Sequence, residues 1–496
     1  MSLAMVKRLI PLALLALSTT AGAETPQAVA PSPPPLQQQV EGMLRTAPQG
    51  TRFGLLVVDE QGRVIVAINP DQRFIPASNT KMFTTAAAFA LLPGMDQPDA
   101  SGGAQVQLSG AKGSPDVILT GRGDARMSAA PDCTVNCLAA LADAVASKTR
   151  RVRDVVGDDT LWADQRWVPG MSWNNIGTDS GTAVSALNLD NNELRVAVTP
   201  GAAGQAPRVT VSSYFTLKNE AITGPTGTKT TLTLERPVNS SVLRLYGQIA
   251  IDAKPWTEQI GIDDPAHYAA WTLAKMLEQR GVKITGRVRV LHRPVQAYDR
   301  PQTAGAVVGG TAPAETAPLA RLAPPPLADD VRIINKDSQN LHAQALFRRL
   351  GSAGGSGSEE WSVKALGTVM DRAGVPRAGY DFSDGSGMST YNRISPRAAV
   401  ALLRWIDTQP WADAWYASLP VAGQDGTLRR RFLGTPLAGN LAAKTGTLNA
   451  TNALSGTFRT RSGRRFTFAF FANDVPNGAS AIPTMETVLV AIAGAN

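Results

Sequence analysis

The sequence predicts an α+β fold: an antiparallel sheet assembled from the two ends of the chain, flanked by helices, with β-rich domains inserted between them. Three observations point to it. A hairpin pattern lies near the N-terminus, a second hairpin followed by a helical run lies at the C-terminus, and a long stretch of short strands and turns separates them. The chain has 496 residues, 43% hydrophobic and 18% charged, enough for a substantial core. Length alone allows roughly one to four folding units.

The first residues differ in character from the rest. Lys7 and Arg8 precede the apolar run Leu9–Leu17, and the small residues Ala21, Gly22 and Ala23 follow, which is the layout of a secretory signal peptide over residues 1–23. The run is short for a bilayer and Pro11 interrupts it, so an uncleaved anchor is the weaker reading. The expectation is an exported chain starting near Glu24, in a periplasm or cell-wall space, with no stable membrane span after signal cleavage. Thr25–Gln39, rich in Pro, Ala and Gln, reads as a flexible leader.

Arg52–Val58 and Val64–Ile68 are β-rich runs joined by Asp59, Glu60, Gln61 and Gly62, a hairpin pattern. Met82–Leu92 is Ala-rich and helical. Gln105–Leu119 and Val184–Ala250 are dominated by short strands, with helices expected at Leu138–Val145 and Pro265–Arg280. Pro301–Pro326, dense in Pro, Ala and Gly, marks the return to the first domain. After the helical run Leu341–Leu350, Gly351–Gly357 reads as a second flexible stretch, too short to separate domains. Ala453–Thr460 and Arg465–Ala472 repeat the hairpin grammar around Ser462 and Gly463, and a helix over Ser480–Ala493 would cover the sheet. The division expected is 24–93 with 316–496 as one domain, 94–190 with 251–315 as an insertion, and 191–250 as a second insertion nested in the first.

Composition excludes some chemistries. Only Cys133 and Cys137 are present, one turn apart if the Leu138 helix extends back over them; a local disulfide and a pair of free thiols are both compatible. His267, His292 and His342 are scattered, so no metal-ligand spacing exists and no cofactor is called for. The net charge of +8 suits an anionic wall polymer, but Lys and Arg are dispersed as on an ordinary solvated surface, and no nucleic-acid motif is visible.

Pro76-Ala77-Ser78-Asn79-Thr80-Lys81 leads straight into the Met82–Leu92 helix, so Ser78 falls in the first turn and Lys81 beside it on the same face. A serine hydroxyl needs a neighbouring base, and a lysine serves only if its charged form is disfavoured. Ser-x-x-Lys alone is weak: Ser109-Gly110-Ala111-Lys112 matches too, in a Gly-rich turn that fixes nothing. Two further elements follow. Ser338-Gln339-Asn340 precedes a helix, and Lys444-Thr445-Gly446-Thr447 lies on a strand. A second Ser-x-Asn, Ser172-Trp173-Asn174, sits in an aromatic, Gly-rich loop and is set aside because of its place in the chain order. Taken singly, a Ser-x-Asn before a helix is usually an N-cap, and a Lys-Thr-Gly usually a turn approach; their joint order reverses that.

The ordered set resembles that of the penicillin-binding proteins and serine β-lactamases. The stretch between Ser78 and Ser338 exceeds what a β-lactamase needs and resembles the class C low-molecular-mass penicillin-binding proteins, D-alanyl-D-alanine carboxypeptidases and endopeptidases with two nested insertions. Pro324-Pro325-Pro326-Leu327, Asn335-Lys336-Asp337-Ser338, Asp384-Gly385-Ser386-Gly387-Met388-Ser389 and Asp425-Gly426-Thr427-Leu428 agree with that family. The resemblance implies a penicillin-binding/β-lactamase-like transpeptidase domain acting on peptidoglycan peptides and inhibited by β-lactam antibiotics. It implies that Ser78 forms the acyl-enzyme, Lys81 takes its proton, Ser338 near Lys444 passes a proton to the departing D-alanine, and Asn340 orients the substrate amide. Lys444 and Thr445 would bind the terminal carboxylate, the backbone N–H groups of Ser78 and Thr447 would form the oxyanion hole, and the strand from Thr445 through Gly446 and Thr447 would pair with the peptide.

Two departures stand out. Pro169-Gly170-Met171-Ser172-Trp173-Asn174 is followed by neutral Asn175, where the family often has an acid that contacts a free ammonium on the stem peptide. Gln344 stands where an acid is common in the helix after Ser338, a change expected to affect packing more than chemistry. Rival readings are weaker. Asp179-Ser180-Gly181 suggests a trypsin-like protease, but no histidine has matching context, and Gly-x-Ser-x-Gly is absent from any strand-to-helix setting. A β-lactamase would share the acylation parts; a non-catalytic wall-binding protein would have no need of them.

Overall fold

Arg465–Asn473 runs through the centre of a five-stranded antiparallel sheet in a computed structural model that describes residues 35–111, 113–302 and 317–496. The strand order is Val64–Ile68, Arg52–Val58, Arg465–Asn473, Thr451–Arg459, Leu441–Leu448, with Leu55 opposite Phe470 and Lys444 opposite Ser455. Leu55, Val57, Phe468 and Phe470 join one core with Leu489 and Ile492 of the terminal helix Ile482–Ala495. Leu56, Val58, Ala469 and Phe471 join another core with Met82, Phe83 and Leu346. Burial on both faces is why these strands read as near-continuous apolar runs instead of alternating ones. In the first hairpin, Asp59 Oδ1 accepts from the backbone N–H of Gln61 (3.1 Å) and Arg63 (2.9 Å), while Gly62 takes a φ of +83°.

The inserted region carries its own sheet and core. Val288–Arg293, Val155–Ala163, Asp116–Thr120, Gln105–Ser109 and Ala320–Arg321 form a mixed sheet in that order. Leu141 and Val145 of helix Leu138–Lys148 and Leu273 and Leu277 of helix Pro265–Gln279 share a core with Val117 and Val155 of the sheet. Asp264 caps the second helix by accepting from His267 N at 2.9 Å. Smaller sheets built from strands between Glu193 and Gly261 adjoin this unit. Ala320–Arg321 pairs with Val106 and Gln105 at the edge of this sheet.

Two local expectations need correction, and one open alternative is decided. The leader to Gln39 ends early, because helix Leu36–Leu44 begins inside it; Gln37 donates to Ala67 O (3.0 Å) and accepts from Ala67 N (3.2 Å), a tertiary anchor that composition does not reveal. Gly351–Gly357 is ordered: helix Asn340–Gly354 runs into it, and Arg348 donates to Gly357 O. The Leu138 helix does not extend back over the cysteines, which are joined by a disulfide just ahead of it. The signal-peptide assignment, Lys112 of the second Ser-x-x-Lys match, and residues 303–316 of the Pro-rich stretch lie outside the described residues. Among the described residues no helix is long and apolar enough to cross a membrane.

Candidate active site

Ser78 lies in a short 3-10 turn, Ala77–Asn79, that opens into helix Thr80–Leu91. Ala77 has a φ of +47°, a left-handed conformation unusual without glycine, and its carbonyl accepts from Thr80 Oγ1 at 2.9 Å. Two glycines let other segments close on this turn. A Cβ at Gly387, whose φ is +88°, would lie 1.9 Å from Ala77 O; one at Gly446 would lie 2.8 Å from Pro76 O. The Asp384 loop and the edge strand Leu441–Leu448 thus press on Ser78 from two sides.

Lys81 is wholly buried. Its Nζ is 2.9 Å from Ser78 Oγ, 2.7 Å from Asn340 Oδ1 and 2.5 Å from Ser386 O. Burial drives its pKa down from the ordinary lysine value to about 7, and the nearby charge of Asp384 opposes this only in part. A neutral amine has two N–H bonds and one lone pair. With the two N–H groups given to Asn340 and Ser386, the lone pair is left for the Ser78 hydroxyl, the arrangement a general base requires.

A second amine is buried beside the first. Lys444 Nζ donates to Ser338 Oγ (2.9 Å) and to Thr445 O (3.0 Å). Burial, then the positive charge of Lys81, hold its pKa well below the lysine range, against Asp337. Ser338 has a φ of +63° and sits just ahead of helix Asn340–Gly354. Asn79 Nδ2 donates to Lys444 O at 2.9 Å, tying the Ser78 turn to the strand.

Ser78, Lys81, Asn340, Ser338 and Lys444 therefore meet in one cleft, reached from helix Thr80–Leu91, the Ser338–Asn340 segment and the edge strand. Thr445 Oγ1 donates to Thr427 Oγ1 at 2.8 Å, and Thr447 is exposed on the strand. The outer edge of this strand is bridged only at Ala442, by Val421, among the described residues. Ser172-Trp173-Asn174 lies on the rim, where Met171 bridges Ser389. Ser109 ends an inserted strand. No histidine hydrogen-bonds Ser78 or Ser180 among the described residues: His267 meets Tyr214, His292 meets Asp159 and Asp264, and His342 meets Asp330 and Asn191.

Five contributors were not assigned roles from sequence. Ser386 supplies only its carbonyl to Lys81. Asp384, wholly buried, shapes that loop by accepting from Gly387 N (2.9 Å), Met388 N (2.9 Å), Ser389 N (3.1 Å) and Ser386 Oγ (2.8 Å). Gln344 buttresses it from behind, accepting from Gly385 N at 3.0 Å. Thr427 meets Thr445, in a turn held by the Asp425–Lys336 pair at 2.5 Å. Ser180, met in sequence as part of a rival motif, accepts from Asn340 Nδ2 at 2.9 Å through its carbonyl. The runs containing Asp384 and Thr427 were visible as shared segments; a backbone carbonyl has no sequence signature.

Residues 36–495 match the model of the D-Ala-D-Ala carboxypeptidase 3 (S13) family. A D-alanyl-D-alanine carboxypeptidase from Actinomadura sp. (strain R39) is 31% identical over 471 residues, covering 90% of this chain and 82% of that protein. The D-alanyl-D-alanine carboxypeptidase DacB of Haemophilus influenzae is 23% identical over 465 residues, 91% of each chain. The crystal structure of penicillin binding protein 4 from Haemophilus influenzae superposes with a TM-score of 0.74 at 21% identity, covering 92% of this chain and 97% of that one. Its complex with a β-lactam superposes with a TM-score of 0.70 at 20% identity, covering 91% and 97%.

Proposed function

The chain belongs to the D-Ala-D-Ala carboxypeptidase 3 (S13) family and is a D-Ala-D-Ala carboxypeptidase, a hydrolase; we propose that it works through an acyl-enzyme on Ser78. Lys81 takes the Ser78 proton as Oγ attacks the carbonyl carbon of the penultimate D-alanine. The developing oxyanion is held by the backbone N–H groups of Ser78 and Thr447. Ser338, bonded to Lys444, relays a proton to the departing D-alanine nitrogen, and water then hydrolyses the ester. Asn340 orients the substrate amide. Lys444 and Thr445 hold the terminal carboxylate, with the Thr427 hydroxyl beside them, and the strand from Thr445 through Gly446 and Thr447 pairs with the peptide backbone.

The observation that supports this most is the three-way setting of Lys81 Nζ, buried without a carboxylate partner among the described residues and 2.9 Å from Ser78 Oγ. A non-catalytic wall-binding protein would have no reason to keep so costly an amine. The same acylation chemistry serves cleavage of peptide cross-links, so endopeptidase activity on peptidoglycan belongs to this reading. So does inhibition by penicillin, with the β-lactam complex of a structural relative in its favour. The signal-peptide pattern at residues 1–23 supports export to the periplasm or cell-wall space. The separate cores support a catalytic unit at 24–93 and 316–496 apart from the inserted region, and the small sheets within Thr216–Ala250 favour a unit at 191–250 nested in one at 94–190 with 251–315, with Ala320–Arg321 lent to the inserted sheet.

Mass spectrometry after incubation with benzylpenicillin tests the acyl-enzyme. A covalent adduct is expected on the peptide containing Ser78 and is expected to vanish in Ser78→Ala. An adduct on any other residue would overturn the assignment.

A further inference from the structure

A cavity of about 400 Å³ opens between the loop at Tyr214, the segment 236–241 and the start of helix Pro265–Gln279, in the inserted region and outside the catalytic cleft. That volume is in the range of small-molecule sites. Tyr214 and Trp271 line it, with ring centroids 5.4 Å apart and planes at 72°. Tyr214 OH is fixed by His267 Nδ1 at 3.0 Å, so the aromatic wall is held in place.

The polar wall is electrically balanced. Arg236 pairs with Asp263 at 2.7 Å, and Arg166 lies 2.8 Å from Asp164 and 3.5 Å from Asp264. Burial lowers the pKa of His267, against Asp264, and leaves it neutral at physiological pH. A net anion or cation would find no unmatched partner here. Asn239, Ser240 and Ser241 line the same cavity from partly or fully exposed positions. Amide and hydroxyl groups beside rigid aromatic faces, with the charged groups already paired, suit a neutral ligand with hydroxyl or amide groups and an apolar face.

We infer that this cavity binds a neutral saccharide unit, an N-acetylhexosamine of the glycan strand whose stem peptide occupies the cleft, an inference that rests on the function proposed above. Position supports the link. Arg236 Nη2 donates to Ile176 O at 2.7 Å, on the rim loop whose Ser180 carbonyl accepts from Asn340. Arg166 lines this cavity and also the narrow space behind Asn340 and Ser386.

Calorimetric titration of the full chain with chitotetraose, an N-acetylglucosamine oligomer, is expected to give saturable binding that survives Ser78→Ala. Ser241→Trp, which fills the cavity mouth from an exposed position, is expected to abolish it. The same variant should raise KM for a disaccharide-linked pentapeptide by roughly tenfold with kcat unchanged, and leave the free pentapeptide unaffected. Trp271→Phe, which keeps a ring, should weaken binding only in part. Absence of chitotetraose binding, or equal effects of Ser241→Trp on linked and free peptides, would overturn the saccharide site. Penicillin labelling of Ser78 without sugar binding removes this inference alone; sugar binding without labelling removes the acyl-enzyme reading instead.

Discussion

Buried charge is treated in opposite ways in the catalytic cleft and in the inserted region. Lys81 and Lys444 are both wholly buried, and each is held by hydroxyls and carbonyls, with no ion pair to a carboxylate among the described residues. In the inserted region the cations are matched: Arg236 with Asp263, Arg293 with Asp299, Arg166 with Asp164, and His292 between Asp159 and Asp264. A paired charge gains stability from its partner, whereas an unpaired one gains reactivity from a displaced pKa. The cleft therefore works against stability, and the inserted region does not.

The sharpest way to break this contrast is Lys81→Met. Acylation by benzylpenicillin should slow by roughly 10²–10⁴-fold, the usual contribution of a positioned base. The unfolding midpoint should rise all the same, by the equivalent of ~1–4 kcal/mol, because an amine that had to be desolvated is gone. Stopped-flow acylation and a thermal melt on one preparation check both. An unaltered acylation rate would remove Lys81 from the base role.

The converse experiment belongs to the inserted region. Asp299, wholly buried, accepts from Arg293 Nη1 (2.7 Å) and Nη2 (3.1 Å) and from Gln296 N (2.7 Å). Asp299→Ala leaves the guanidinium without its carboxylate, with only the Thr160 carbonyl still accepting from Nε, and should destabilise by ~3–5 kcal/mol, while acylation of the folded fraction proceeds at the native rate. A lowered midpoint together with normal labelling of Ser78 is the expected result.

pH separates the two regions in a smaller way. With Lys81 near 7, acylation should rise with pH through that value and fall roughly tenfold for each unit below it. Its folded pKa is below its unfolded one, so the unfolded chain holds more protons between pH 7 and 10.5, and this group's contribution to stability rises with pH across that window. His292 runs the other way. Its hydrogen bonds to the Asp159 and Asp264 carboxylates, which accept, raise it from 6.5 to about 10, so its stabilisation is complete below 6.5 and is lost as pH climbs through about 10. His292→Gln should therefore lower the unfolding midpoint at pH 6.5 but scarcely at pH 10.5, with benzylpenicillin acylation unchanged at either.

Much of the fold and of the candidate site was legible in the sequence. Arg52–Val58 and Arg465–Asn473 announced themselves because burial on both faces leaves hardly a polar residue in them. Ser78, Lys81, Ser338, Asn340 and Lys444 were legible because side-chain chemistry in a fixed order survives in sequence. Helix Leu36–Leu44 was not, since its Gln-rich first turn is held by Ala67 across the fold and not by its own periodicity. Nor were the carbonyls of Ser386 and Ser180, which any residue could supply if the loop were shaped alike. The reason for Gly387 and Gly446 emerged only with the turn that a Cβ at either position would strike.

The rim of the cleft offers the gentlest test of how charge is distributed. Asn175 ends the short turn Trp173–Asn175, and its carbonyl accepts from Thr178 N at 2.9 Å and Thr178 Oγ1 at 2.8 Å, bonds that a change of side chain leaves in place. Asn175→Asp adds a carboxylate at nearly constant volume, close to solvent, where an ion pair contributes only ~0.5–1 kcal/mol. Turnover of a stem peptide ending in a free ammonium should then improve by roughly two- to fivefold, and turnover of the same peptide with that amine acetylated should not change. The gain should shrink as salt is raised, since exposed charges are screened. If both peptides respond equally, the rim does not read the stem's charge, and the discrimination lies deeper, among the hydroxyls and carbonyls around Lys81 and Lys444.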